Sequence, residues 1–241
     1  MSTKRKILMV VANPSVSTTT GWPVGFWASE LIHPYDAFVR QGYAVTLASP
    51  NGGKIEPDAY SDPRDAGGYS KDDTLSLAYL ERAAFADLLQ KTERVSDLHA
   101  ADFDAIVVIG GQSPMFTFKD AAGLQALFMD FFVSGKISAA LCHGTSLLLY
   151  LKNPDGTAFV KDRKMTGFAN SEEDFADKTV GQKLMPFRIE DEAKKMGGRF
   201  TVKPAFEPYA VRDGNLITGQ QQHSGGEVAR LVIAALEEDA E

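Results

Sequence analysis

Four apolar runs recur along the chain: KILMVVA (6–12), YAVTLAS (43–49), DAIVVIGG (104–111) and KISAALC (136–142). Each is strand-length, and apolar residues occupy both alternating positions. That is the pattern of a parallel strand covered on both faces. KMTGF (164–168) is a weaker fifth run. Helix-length segments lie between them. PYDAFVRQG (34–42) ends in glycine, and Pro34 suits a first helical turn. DDTLSLAYLERAAFADLLQKT (72–92) has an acidic start and a Leu/Ala/Phe stripe, and DAAGLQALFMDFFVSG (120–135) closes on glycine. Strands separated by helices need crossover connections. The expected fold is therefore α/β, a three-layer sandwich with a mostly parallel central sheet and helices on both faces.

The last third is less regular. ANSEEDFADKTVGQKLMP (169–186) is polar and acidic and reads as a loop or short helices over a site. FRIEDEAKKMGGRF (187–200) returns to helix, YAVRDGNLITG (209–219) reads as a hairpin turning at Asp213-Gly214, and GGEVARLVIAALEE (225–238) as a terminal amphipathic helix. No repeat or linker is visible, so one domain is expected over 1–241, with insertions near 50–73 and 169–186.

Composition narrows the function classes. A net charge of −7 removes the electrostatic basis for nucleic-acid binding. No run approaches the ~20 apolar residues of a membrane helix. The run from Ile7 to Ala12 is too short for a signal-peptide core. A single cysteine cannot form an internal disulfide, which points to a reducing, cytoplasmic setting.

That cysteine, Cys142, sits in SAALCHGTSL (138–147), where a strand runs into a helix-like segment. Two readings compete. Cys142 is a small buried apolar residue, or it is a nucleophile at a sharp strand-to-helix elbow, where free N–H groups and the helix dipole lower the thiol pKa. The local pattern leaves them even. The α/β-hydrolase elbow is disfavoured, because Ala140 replaces the glycine two residues before the nucleophile and no downstream Asp–His pair is evident apart from the lone His223. Gly110-Gly111, after a neighbouring strand, can bring backbone amides close to a ligand, or can be an ordinary strand-ending turn. Glu30 lies after the first strand in a segment holding Trp22, Phe26 and Trp27. Apolar surroundings there would raise its pKa, whereas on a helix N-terminus it would simply favour the dipole. Glu172 and Glu173 read alone as a solvated acidic loop. The four histidines are scattered without metal-ligand spacing, so no metal is expected.

In combination, TGWPVGFWASELIHPY (20–35), the glycine pair at 110–111, AALCHG (139–144) and TGFANSEE (166–173) resemble, in order, the DJ-1/PfpI superfamily of the class I glutamine-amidotransferase-like fold. The resemblance runs over nearly the whole chain and is closest to the glyoxalase III and heat-shock-protein-31 branch. It implies a flavodoxin-like sandwich with Cys142 as the elbow nucleophile. It also implies that Glu30 bonds the sulfur and that His143 is oriented by Glu173, with Glu172 as the one-residue alternative. Backbone N–H groups of Gly111 and His143 are then the oxyanion donors, and Gly110, Gln112, Trp22, Phe26 and Trp27 are pocket residues.

The implied activity is a cofactor-independent conversion of 2-oxoaldehydes such as methylglyoxal to 2-hydroxy acids, by a homodimer acting on a small carbonyl substrate. The alternatives on the same site are another cysteine hydrolase or hydratase (amidase, peptidase, isonitrile hydratase), a stress-response chaperone or a thiol-oxidation sensor. One departure stands out. Many relatives carry Gly-Gly-His-Gly where this chain has GGQS (110–113), so Gln112 replaces a titratable residue and Ser113 a flexible one.

Overall fold

A computed structural model describes residues 4–238; the outermost residues of the 1–241 span, 1–3 and 239–241, lie outside the described residues. The chain opens with β1 (Lys6–Val10), a short hairpin of β2 (Ser15–Val16) and β3 (Pro23–Val24), then α1 (Ala28–Arg40) and β4 (Ala44–Ser49). Next come α2 (Thr74–Leu80), α3 (Ala83–Gln90), β5 (Glu93–Arg94), β6 (Ala105–Val108), α4 (Pro114–Thr117), α5 (Ala122–Val133) and β7 (Ile137–Leu141). A 3-10 segment (Cys142–Tyr150) leads to β8 (Lys164–Met165), α6 (Asn170–Val180), α7 (Ile189–Lys195), β9 (Arg199–Phe200), β10 (Ala210–Asp213), β11 (Leu216–Gly219) and α8 (Gly225–Glu238).

The central sheet has seven strands in the order β10-β11-β7-β6-β1-β4-β5, all parallel except β10. Its alternating residues feed two cores. Leu8, Val10, Ile106, Val108 and Ala140 pack with Met115, Phe128, Phe131 and Ile189 on one face. Ile7, Met9, Val107, Ala139 and Ile217 pack with Leu31, Phe38, Phe85 and Val232 on the other. Two-sided burial explains why these strands are apolar throughout rather than alternating.

β1 pairs β4 on one side and β6 on the other, so the strand order reverses at β1. In an open α/β sheet the crevice beyond the carboxyl ends at such a switch point is where ligands bind. The segments leaving β1, β6 and β7 carry Glu30, Gly110-Gly111 and Cys142 respectively.

Several sequence expectations are corrected. α1 starts at Ala28, so Pro34 lies inside the helix rather than in its first turn. Its missing N–H leaves the Glu30 carbonyl without the usual helical donor. The segment 72–92 is two helices rather than one. Asp73 caps the first, accepting from the Ser76 N–H at 3.1 Å, and Arg82 is extended at the start of the second. β8 pairs only with β9, outside the central sheet. Segment 169–186 is mostly the continuous helix α6, stopped by left-handed Gly181, and Glu172 and Glu173 are buried rather than solvated. The β10–β11 turn is centred on Gly214-Asn215, one residue later than expected, because Asp213 pairs with Leu216 and Gly214 takes a φ of 62°.

Candidate active site

β7 ends in extended Leu141, and Cys142 then takes a φ of 53°. Left-handed backbone at a residue other than glycine costs of order 1 kcal/mol, and strained residues of this kind cluster at active sites. The turn is held by the Thr145 hydroxyl, which donates to the Cys142 carbonyl at 2.7 Å. The following segment is a 3-10 helix, tighter than the α-helix expected.

The left-handed turn brings the neighbouring ring back over the sulfur. His143 Nδ1 lies 3.8 Å from Cys142 Sγ, and His143 Nε2 lies 3.0 Å from Glu173 Oε1. A carboxylate only accepts, so Nε2 carries the proton and Nδ1 turns a lone pair toward the thiol. The ring is tilted against Phe168, with centroids 4.2 Å apart. Glu172, the one-residue alternative, is used elsewhere. It accepts from the Ala169 N–H at 2.8 Å, the Gln220 amide at 2.8 Å and the Phe206 N–H at 3.2 Å. It fixes the start of α6, and so the direction from which Glu173 reaches the ring.

Glu30 is fully buried. Its Oε2 accepts from the Gly110 N–H at 3.0 Å, and its Oε1 has no hydrogen-bond partner among the described residues. Burial pushes its pKa up to about 8, against the opposing effect of hydrogen bonds from Cys142 and Gly110, so it keeps its proton at neutral pH. The Cys142 thiol is also pushed well above its usual value, first by burial and then by the neighbouring Glu30. This reverses the expectation of an elbow that lowers the thiol pKa. Removing the sulfur from water costs more than the His143 N–H returns. The resting pair therefore holds both protons, and a thiolate forms only as His143 takes one.

Gly110 fits beneath this pair where no side chain could. A Cβ would lie 2.5 Å from Glu30 Oε2 and 2.9 Å from the Cys142 Cβ. Gly111 has a φ of 100°, and a Cβ there would lie 2.4 Å from the Trp27 nitrogen. The Gly111 N–H has no acceptor among the described residues.

Sequence reasoning missed Asp58. It lies in the segment read as an insertion, almost fully buried, and accepts from the Gly25 and Gln112 N–H groups at 2.7 Å each. It thus clamps the loop after β6 to the segment after β3. Burial raises its pKa to about 7, against those two hydrogen bonds. In sequence it looks like an ordinary turn aspartate between Pro57 and Ala59, with no signal that marks it.

The cavity over Cys142 is about 110 Å³. Trp22, Trp27, Gln112, His143 and Glu173 line it. Phe26 does not. It is fully buried in the core on the α1 face, because its strand-like bridge to Pro57 turns the ring inward. Gly110 does not line the cavity either; it sits behind Cys142, against Glu30. The Ser113 hydroxyl donates to the Asn13 carbonyl at 2.6 Å, away from the cavity. His223 does not line the cavity, although its neighbour Gln222 does, and among the described residues no group of three or more His, Cys, Asp or Glu is placed to hold a metal.

Residues 23–235 match the model of the DJ-1/PfpI family. Glyoxalase 3 of Candida albicans is 28% identical over 221 residues, covering 90% of this chain and 92% of that protein. The glutathione-independent glyoxalase HSP31 of Saccharomyces cerevisiae is 25% identical over 241 residues, 98% of this chain and 99% of that protein. The crystal structure of glyoxalase III from Candida albicans superimposes with a TM-score of 0.78 at 26% identity, covering 96% of this chain and 97% of that one.

Proposed function

The chain belongs to the DJ-1/PfpI family, and on that premise we propose that it is a cofactor-independent glyoxalase converting 2-oxoaldehydes to 2-hydroxy acids. The observation that carries this reading is the Cys142–His143–Glu173 relay, closed on its other side by protonated Glu30. Two relatives named as glyoxalases over nearly the full chain support it.

The chemistry is an internal redox reaction. The thiol adds across the aldehyde: the S–C1 bond forms, the C1–oxygen π pair moves to oxygen, and the thiol proton passes to His143 Nδ1. The Gly111 and His143 backbone N–H groups receive the oxyanion, which takes the proton back as the thiohemiacetal. His143 then removes the C1 proton and the C2 carbonyl π pair moves onto its oxygen, giving an enediolate across C1 and C2, and His143 returns that proton to C2. The hydroxyl proton of the C1 oxygen passes to the C2 oxygen as the thioester forms. Water hydrolyses the thioester, and the sulfur leaves and is reprotonated. C1 is oxidised by the two electrons that reduce C2, so the net reaction adds only water. Glu30, holding its proton beside the sulfur, stabilises the thiolate when the thioester breaks.

A substrate panel tests this assignment. Methylglyoxal is expected to turn over without glutathione, while amides, peptides and isonitriles are not. Turnover of any of those with methylglyoxal untouched would overturn it. Glu173→Gln offers a second check. Its amide can present a donor to the ring and favour the wrong tautomer, so kcat is expected to fall roughly 10²- to 10³-fold with KM little changed.

We also place the protein in the cytoplasm as a homodimer. Its one cysteine, buried and free, supports a reducing compartment, and among the described residues no helix is long and apolar enough to cross a membrane. Light scattering is expected to give twice the chain mass; a monomer at micromolar concentration would contradict the dimer.

A further inference from the structure

We propose that the preferred substrates are 2-oxoaldehydes whose second carbonyl carries an uncharged aryl group, rather than methylglyoxal. This rests on the glyoxalase reading of the site and narrows it to a substrate class. Methylglyoxal offers only a methyl group to a cavity walled by aromatic and aliphatic side chains. Phe175 of α6 packs edge-to-face on Phe206, with ring centroids 5.0 Å apart, and Trp27 on Tyr69 at 6.0 Å. All four rings line the cavity.

The wall is built rather than incidental. Phe206 takes a φ of 66°, a strained conformation for a bulky residue, and the buried Glu172 carboxylate holds its N–H. Phe175, half exposed, extends the apolar surface at the mouth. The cavity of about 110 Å³ approaches the roughly 150 Å³ that accommodates benzene in an engineered protein core, and it opens further at that mouth. Edge-to-face walls are the arrangement that another aromatic ring completes.

Charge narrows the class again. No Lys or Arg lines the cavity, and Glu173 does. A carboxylate or phosphate on the substrate would be desolvated without a partner. Besides Cys142, Glu173 and the His143 that they engage, the polar lining is the Gln112 and Gln222 amides and the Tyr60, Tyr69 and Thr179 hydroxyls, none of which supplies a positive charge. The Gln112 side chain has no partner among the described residues and is available to the carbonyl next to the ring.

The test compares kcat/KM for methylglyoxal, phenylglyoxal and 4-carboxyphenylglyoxal, detecting lactate, mandelate and carboxymandelate. The aryl compound should exceed methylglyoxal by about 10- to 100-fold from the extra apolar area buried, and the carboxylated one should lose that gain. In Phe175→Ala, chosen because its ring is half exposed, the phenyl-to-methyl ratio should fall several-fold.

Both tryptophans of the chain, Trp22 and Trp27, line the cavity, so intrinsic fluorescence gives a readout without chemistry. Acetophenone should bind at least tenfold more tightly than acetone, and Phe175→Ala should reduce that ratio. Turnover of methylglyoxal with a phenyl-to-methyl ratio near one, and equal binding of the two ketones, would overturn the aryl preference and leave the glyoxalase reading standing. Tight acetophenone binding without any turnover would overturn the glyoxalase reading and uphold the aryl pocket.

Discussion

Cys142→Ala is expected to lower kcat/KM for methylglyoxal by at least about 10³, while the protein remains folded. The sulfur forms the only covalent bond in the scheme, and deleting a nucleophile costs this much or more where nucleophile and base act as a unit. The substitution removes one buried atom and leaves the left-handed turn, the Thr145 hydrogen bond and the His143–Glu173 contact in place. Non-additivity sharpens the test. Once the sulfur is gone, adding Glu173→Gln should cost little more, because the ring then has no proton to take. Independent losses from the two substitutions would mean that Glu173 acts on something other than the Cys142–His143 pair. A wild-type rate in Cys142→Ala would remove the cysteine from the chemistry altogether.

The second large effect is on stability. Unfolding free energy in urea is expected to fall as pH rises from about 5 to 8. The folded-state pKa of Glu30 is about 8 against an ordinary 4.5, and that of Asp58 about 7 against 3.8. Between those limits the unfolded chain has released the proton and the native state still holds it. Each group therefore removes about 1.4 kcal/mol of stability per pH unit, until its folded-state pKa is passed. Together they amount to a loss of several kcal/mol, of the order of a typical domain's whole stability. Glu172, raised by burial, acts in the same direction, whereas His223, whose pKa burial lowers, opposes it near and below about pH 6.5. Glu30→Gln, an isostere that cannot ionise, should flatten the upper part of the curve, and Asp58→Asn the part below about pH 7. A curve that is level from pH 5 to 8 in the wild type would contradict buried, protonated carboxyls at this site. If the loss is found, the site stores two acids that favour the folded state only while neutral.

What could be read in the sequence followed from repeated, cooperative signals. β1, β6 and β7 are buried on both faces and β4 over its second half, so their apolar runs stand out and their boundaries fell within two or three residues. α5 ends just before Gly135, whose φ of 77° is the left-handed stop that a glycine supplies locally. The elbow, the glycine pair and the two acidic segments were each ambiguous alone. The geometry now shows why their order was informative: the segments after β1, β6 and β7 leave the sheet at its carboxyl edge, and α6 brings Glu173 to His143 from outside the sheet.

What could not be read depended on tertiary partners. The stripe of 72–92 continues across the break at Arg82, so periodicity is blind to it, while Arg82 itself lies over the Tyr79 ring at 4.5 Å. Segment 169–186 is polar because its helix faces water on one side. Only the contacts of Glu172 and Glu173 reveal that the other side completes the site. Pro34 sits mid-helix against Gly225 at the start of α8, a close approach that no local pattern encodes. Asp58 is recognisable only once Gly25 and Gln112 are brought beside it. The thiol pKa was misjudged because the elbow's donors are visible in sequence and its depth of burial is not.

The central claim is that one buried thiol carries an internal redox reaction without an added cofactor. Its most direct test is to incubate dialysed protein with methylglyoxal in the absence of glutathione and to follow aldehyde loss and lactate together. The account predicts one lactate for each methylglyoxal consumed, over many turnovers, and none above background with Cys142→Ala. Aldehyde loss without lactate, or equal lactate from both proteins, would contradict it.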